Sequence, residues 1–476
     1  MAVSDATGGA AGHRRLNDIT VTEPTVMRRA VAAAAIGNVT EWYDFGVYGY
    51  LAVTISKVFF SGLPPAAGLI ATFGSFAAAF LVRPFGGLVF GPLGDRIGRT
   101  KVLSATVILM ALGTFVIGVL PGYASIGVAA PMLLLGARLV QGFSTGGEYG
   151  GAMTFIAEYS ADRRRGFFGS WLEFGTITGY VFGASLVTVL TAVLSPQQLL
   201  SWGWRIPFLI ALPLGLVGLF LRLRLEETPA FAKLLGESEA REAQTHGLWE
   251  IRDVFVKHWR AVLACSGIVI AWNVTNYMLT AYVPTYLTAT LPDHGYHGTD
   301  ATTAQLFQIV VLLLLLVVIT FVGRVNDRIG RKPVLFAGSL ALVVLSVPSV
   351  LLLRIDRPWA TFLGLLVMGL MLVCFSSTAP STLPALFPTG MRYGGLAISF
   401  NIAVSLFGGT TSTVMQSLVS ATGDLNWPGY YLVAAGVVGA VATWFIREPS
   451  GRSLPGSPPA AADEQEAREL AGASRG

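Results

Sequence analysis

Long apolar runs separated by short polar breaks recur from Val31 to Ile446. The run FQIVVLLLLLVVITFVG, Phe307 to Gly323, contains no charged residue. Each such run is long enough to cross ~30 Å of hydrocarbon as a helix, a form that satisfies its own backbone hydrogen bonds. Reading apolar length against charged or Pro/Gly breaks predicts helices near 30–56, 66–90, 102–121, 125–151, 166–193 and 203–224. A second set follows near 260–290, 302–324, 333–353, 359–386, 393–420 and 427–446. The fold class is therefore an all-α membrane protein with twelve transmembrane helices in two six-helix bundles.

Composition agrees with that pattern. The chain is 53% hydrophobic and 12% charged, with a mean hydropathy of +0.63, about half the charge of an average soluble domain. Its net charge of +5 does not imply a nucleic acid partner, because the loops sort by sign. Arg96, Arg99 and Lys101, then Arg163 to Arg165, then Lys233, Arg241, Arg252 and Lys257, then Arg324, Arg328, Arg331 and Lys332 mark one side. The alternate loops PGYAS, SPQQLLSWG and LPDHGYHGTD hold no Lys or Arg. The positive-inside rule then places both termini in the cytoplasm, which requires an even number of spans. Residues 1–27 lack the apolar core of a signal peptide and read as a disordered cytoplasmic tail. The long polar stretch 226–258 reads as a cytoplasmic linker between bundles 28–225 and 259–447, and 448–476 as a cytoplasmic tail in which DEQEAREL is solvated or forms a short amphipathic turn of helix. Cys265 and Cys374 lie far apart in apolar segments and read as small buried hydrophobes.

An internal repeat supports the division. GPLGDRIGRTK at 91–101 and GRVNDRIGRKP at 323–333 share DRIGR at one offset, half a chain apart, each after the second helix of its half. Such duplication is the signature of a six-plus-six transporter. The paired loops resemble the signature of the major facilitator superfamily. GNVTEWYDFGVYG, RPFGGLVFGPLGDRIGR, RLVQGFSTGGEYGGA, WGWRIPFLIALPLG, EETPAF and PALFPTGMRY resemble its metabolite:proton symporter branch. NVTNYML, TLPALFPT and SFNIAV add a likeness to the carriers of proline and glycine betaine in bacterial osmoprotection. The resemblance covers roughly 28–450 and stops at the tail, where SLPGSPPAAADEQEARELAGASRG leaves no room for the long coiled coil of the enteric betaine carriers.

Two carboxylates interrupt the first apolar segment. Helical spacing puts Asn38, Glu41, Asp44 and Tyr48 on one face of helix 1. A carboxylate in lipid costs at least about 2.5 kcal/mol, so that face should line an aqueous cavity. Arg138, Gln141, Thr145 and Glu148 form a stripe on helix 4, and Glu173, Thr176 and Tyr180 another on helix 5. Several acids opposite one buried arginine cannot all stay ionised, so at least one should exchange a proton as access alternates. Asp44 or Glu41, paired with Arg138, is the expected carrier, and Glu148 and Glu173 complete the candidate set; Arg138 could alternatively hold a substrate carboxylate when the acid is protonated, with Asn38 and Gln141 also lining the substrate. A fixed structural ion pair between helices 1 and 4 is the alternative. Trp42, Tyr43, Tyr48, Trp272 and Tyr277 could cage a quaternary ammonium through cation–π attraction, or simply pack. The helix 7 stripe of Asn273, Asn276, Tyr277 and Thr280 is substrate-lining or interhelical glue.

The DRIGR loops carry different chemistry. Asp95 with Arg96 and Arg99, and Asp327 with Arg328 and Arg331, sit at helix ends, where charge-assisted bonds would lock one side. The resemblance implies that gating role; topogenic charge is the alternative. Glycines in GGLVFGPLG and GGEYGGA permit close helix approach and do not form a phosphate loop, so direct ATP drive is not expected. No nucleophile, base and orienter set and no metal-ligand set is present, so neither catalysis, a cofactor nor a metal is expected. The expected function is proton symport of a small zwitterion by a monomeric unit in the bacterial inner membrane. The alternatives are symport of a carboxylate such as α-ketoglutarate, shikimate or citrate, and a sensor that binds osmolyte without moving it.

Overall fold

The computed structural model describes residues 19–21, 24–97, 99–223, 256–296, 299–355 and 357–472. The linker and the N-terminal tail expected from the sequence fall largely outside these residues. All twelve helices appear where the apolar runs predict them. The first six are α1 (Pro24–Tyr50, resumed as Ala52–Phe59), α2 (Pro65–Ile97), α3 (Arg99–Val119), α4 (Ala129–Ser144, continued past a tight turn as Glu148–Tyr159), α5 (Arg165–Val193) and α6 (Arg205–Leu223). The second six are α7 (Trp259–Tyr277, extended to Asp293), α8 (Ala301–Ile329), α9 (Arg331–Leu353), α10 (Pro358–Ser376), α11 (Thr389–Ala403, resumed as Thr411–Thr422) and α12 (Trp427–Phe445).

Among the described residues eight helices are individually long and apolar enough to span a membrane, and a pair bent by 42° before α6 makes a ninth. The others are diluted for a reason. α1 contains Glu41 and Asp44, and α4 is broken at Thr145–Gly147. Their polar faces are turned inward, with Glu41, Asp44 and Arg138 almost fully buried. The α7 extension contains wide turns at Met278–Tyr282 and Tyr286–Thr290 around Pro284, whose missing N–H cannot continue a regular helix.

Small residues set the closest approaches. A Cβ on Gly142 would lie 1.8 Å from the Ala79 carbonyl oxygen, and one on Gly86 1.8 Å from that of Phe143. The α2 and α4 backbones therefore touch directly, as packing in lipid allows.

The halves meet along the antiparallel pair α5 and α8. At one end Thr188 and Thr191 donate to Gln305 Oε1 at 3.2 and 3.3 Å. At the other, the basic end, Asp327 accepts from the Gly166 and Phe167 amides at 2.7 and 2.8 Å. Nearby, Arg392 of α11 pairs with Glu158 of α4 at 2.6 Å. Both ends of the interface are thus closed.

The C-terminal segment departs from the solvated tail expected. It folds back as a strap on the basic end, where Thr20–Val21 pairs in parallel with Ala460–Ala461. Asp162 donates its amide to Ala460 O at 2.9 Å, and Thr389 donates to Pro455 O at 3.0 Å, so the strap touches both halves. DEQEAREL, from Glu464 on, forms most of the helix Glu464–Gly472, which buries Ala467 against Ile19 and Ala461. Arg163, expected only to fix orientation, lies 3.8 Å from both Glu466 and Glu469. The strap eludes hydropathy because its contacts are mostly backbone hydrogen bonds and a few alanines.

Candidate substrate and proton site

Where the halves face each other, Trp42, Tyr149, Glu173 and Thr176 from the first half and Trp272, Asn273, Asn276 and Phe400 from the second enclose a cavity of about 10 Å³, room for one water. Rings form most of the wall. Trp42 meets Tyr149 edge-on at 5.9 Å, Tyr149 stacks on Phe400 at 5.0 Å, and Trp272 lies 6.0 Å from each of Tyr149 and Phe400.

One hydrogen-bond chain orients this wall. Trp42 Nε1 donates to Asn38 Oδ1 at 3.1 Å, and Asn38 Nδ2 donates to Thr176 Oγ1 at 2.6 Å and Leu172 O at 2.9 Å. Thr176 donates to Glu173 at 2.9 Å, and Tyr149 donates to the same Glu173 oxygen. Within the second half Trp272 donates to Ser376 at 2.9 Å, and across the interface Asn276 donates to Tyr180 at 3.2 Å. Asn38 thus serves as a bracket for Trp42, and helix 7 supplies both wall and interhelical bonds.

The charged groups pair differently from the expectation. Glu41 meets Arg83 of α2 at 3.2 Å, both about 1% exposed. Asp44 is not in direct contact with Arg138: Thr114 donates to Asp44 Oδ2 at 2.8 Å, Gln141 donates to Thr114 at 2.8 Å, and Arg138 donates to Gln141. Two buried arginines, Arg83 and Arg138, stand near these acids where the sequence reading had one. Arg83 stacks over Phe80 and Phe45 at 4.4 and 4.7 Å, and Arg138 over Tyr48 at 4.1 Å. A guanidinium so held exchanges water for π faces and carboxylate.

Other predicted residues lie outside the cavity wall. Tyr43 donates to Pro207 O at 2.8 Å and packs on Phe182, facing away from the cage. Tyr48 lies 2.5 Å from Ser75 Oγ. Tyr277 stands behind Trp42, 6.2 Å away, against Phe80 at 5.0 Å. Glu148 is buried at the start of the second part of α4. Arg331 donates to Ser381 O at 2.9 Å, whereas Arg328 is exposed. The side chains of Asp95, Arg96 and Arg99 lie outside the described part. Cys265 is buried and Cys374 half-buried, both free. Arg83, Tyr149 and Phe400 were missed by sequence reasoning. Arg83 had a signal, a lone cation inside an apolar run; the two rings had none.

The chain matches the model of the Sugar (and other) transporter family over residues 30–457. It is 45% identical to the proline/betaine transporter of Salmonella typhimurium, over 96% of this chain and 91% of that one. It is 46% identical to the glycine betaine/proline/ectoine/pipecolic acid transporter OusA of Dickeya dadantii, over 96% and 90%. Among solved structures, the major facilitator superfamily proton:xylose symporter XylE superposes with a TM-score of 0.70 at 19% identity, covering 94% of this chain and 99% of that one. The twelve-helix architecture is that of the major facilitator superfamily, and the chain belongs to the Sugar (and other) transporter family.

Proposed function

We propose that this protein carries a small zwitterion such as proline or glycine betaine into the bacterial cell together with a proton. The observation that carries the reading is the cavity wall. Four side chains from each half supply aromatic faces and a single carboxylate, Glu173. Rings attract a quaternary or secondary ammonium when water is excluded, by up to about 2 kcal/mol, and Glu173 adds opposite charge. A dicarboxylate would set two anionic ends beside Glu173, which disfavours the carboxylate alternative. The relatives' names, a proline/betaine transporter and a glycine betaine/proline/ectoine/pipecolic acid transporter, point the same way.

A cavity of about 10 Å³ is far smaller than such a solute, so loading requires Trp42 and Tyr149 to separate from Trp272 and Phe400. Rocking of the halves about α5 and α8 does this, opening one end while the other stays closed. The lysine- and arginine-rich end is the cytoplasmic one by the positive-inside rule. Asp327 on the Gly166 and Phe167 amides and the pair of Arg392 and Glu158 close it. Glu41 and Asp44 are the candidates for the proton. Proteoliposomes with an inward-directed pH gradient and labelled proline, betaine and dicarboxylates test the reading. Accumulation of proline or betaine is expected, and uptake of dicarboxylates alone would overturn it.

A further inference from the structure

We infer that Arg83 is the anchor for the substrate's carboxylate, released to it when Glu41 takes up a proton. The inference rests on the zwitterion reading above and adds the residue that links binding to the proton. Arg83 is fully buried and sits directly against a carboxylate, and removing one partner of such a pair without a replacement leaves an uncompensated buried charge. In the closed structure that partner is Glu41, through one nitrogen at 3.2 Å, while Arg83 Nε has no hydrogen-bond partner. The planar fork is suited to a two-point grip on a carboxylate that Glu41 does not use.

Position favours Arg83 over Arg138. Arg83 lies 6.0 Å from the Trp42 ring, and Trp42 is itself part of the cavity wall. Arg138 also has nitrogens without a hydrogen-bond partner, Nε and Nη2, but it is tied through Gln141 and Thr114 to Asp44 and capped by Tyr48 and Phe76. When the halves part, a solute with its ammonium among Trp42, Tyr149 and Trp272 has its anionic end directed toward Arg83.

The exchange conserves charge. A proton from solution adds to the Glu41 carboxylate, giving a neutral carboxyl. Arg83, still cationic, then holds the incoming carboxylate in its place. Without the proton, a second anion would crowd one cation in a dry site; without the solute, protonation would strand Arg83. Each unfavourable half-step is avoided only when both ligands bind, which is the requirement of tight symport. Titratable groups around this pair include Tyr149 on α4 and Tyr277 on α7 beside Glu41, Arg138 beside Arg83, Glu173 bonded to Tyr149, and Asp44 one turn along α1. Tyr149 and Glu173 are already joined by their own hydrogen bond, and Asp44 by the Arg138 relay.

The test compares glycine betaine with choline, which has the same ammonium and no carboxylate, by equilibrium binding to purified full-length protein. A carboxylate on a buried guanidinium should tighten binding about 10- to 100-fold, so wild type should prefer betaine by that factor. Arg83→Gln should bring betaine down to the level of choline, with choline unchanged, and Arg83→Lys should fall between. Glu41→Gln should bind betaine independently of pH and exchange labelled for unlabelled betaine, yet fail to accumulate it. Should Arg83→Gln fail to fold, Glu41→Gln/Arg83→Gln removes both charges and should fold and bind betaine only as choline. Equal betaine affinity in wild type and an Arg83→Gln or double variant that folds overturns the assignment alone. Loss of betaine and choline together in such variants also overturns it, as a packing role. Wild type that binds neither betaine nor proline overturns the zwitterion reading.

Discussion

Replacing Asp327 by Asn tests the closure of the basic end quantitatively. Asp327 on α8 accepts the Gly166 and Phe167 amides at 2.7 and 2.8 Å, so one carboxylate from the second half caps the N-terminus of α5 in the first. Asn keeps one acceptor and turns its NH₂ toward the other amide. One hydrogen bond to a charged group is lost, about 1.5–3 kcal/mol, together with the favourable placement of negative charge at a helix N-terminus, about 0.3–1 kcal/mol. Partial exposure favours the low end, so about 2 kcal/mol, or about 30-fold in the ratio of open to closed basic ends. The assay introduces Cys at Ser170, whose side chain lies against Gly323 in the same seam, after Cys265 and Cys374 are replaced. The maleimide labelling rate of that cysteine should rise about 30-fold with Asp327→Asn. A rate within twofold of the parent, in a variant that melts normally, would refute the cap as a latch.

Four further outcomes follow from the same structure. Gly142→Ala should abolish folding or lower expression sharply, because its Cβ meets a backbone oxygen at 1.8 Å that no rotamer change can move; detergent size-exclusion profiles report it. Arg392→Gln should lower the melting temperature by the equivalent of about 3 kcal/mol, since it strands Glu158 and the Pro384 and Pro455 carbonyls. Stopping the chain after Pro459 removes the pairing at Ala460–Ala461 and the helix Glu464–Gly472. Labelling at position 170 should then increase, additively with Asp327→Asn. Asp300 caps α8 by accepting from Thr303 N at 3.0 Å, and hydrogen bonds from the Thr303 hydroxyl and amide hold its carboxyl below the usual 3.8. A depressed value means its stabilisation is present above pH 4 and lost as pH falls through the folded value. Asp300→Ala should therefore cost about 1 kcal/mol at neutral pH and progressively less as the pH falls below the ordinary carboxylate value, by thermal melting.

Hydropathy alone determined the spans, because a chain in lipid must enclose its backbone polar groups and does so helix by helix, in segments whose length the bilayer sets. The repeat of DRIGR determined the two halves, and the cost of charge in hydrocarbon determined that Glu41, Asp44 and Arg138 turn inward. Only the tertiary structure decided who meets whom. Helical period tells which residues share a face but not how neighbouring helices are rotated. Glu41 thus found Arg83 on α2 rather than Arg138 on α4, and Asp44 reached Arg138 only through Thr114 and Gln141. Tyr149 and Phe400 could not be told from packing aromatics, and became cavity wall because two distant segments close on one point. The strap stayed hidden for the same reason: its hydrogen bonds run between residues far apart in sequence, and local pattern holds no record of such distances.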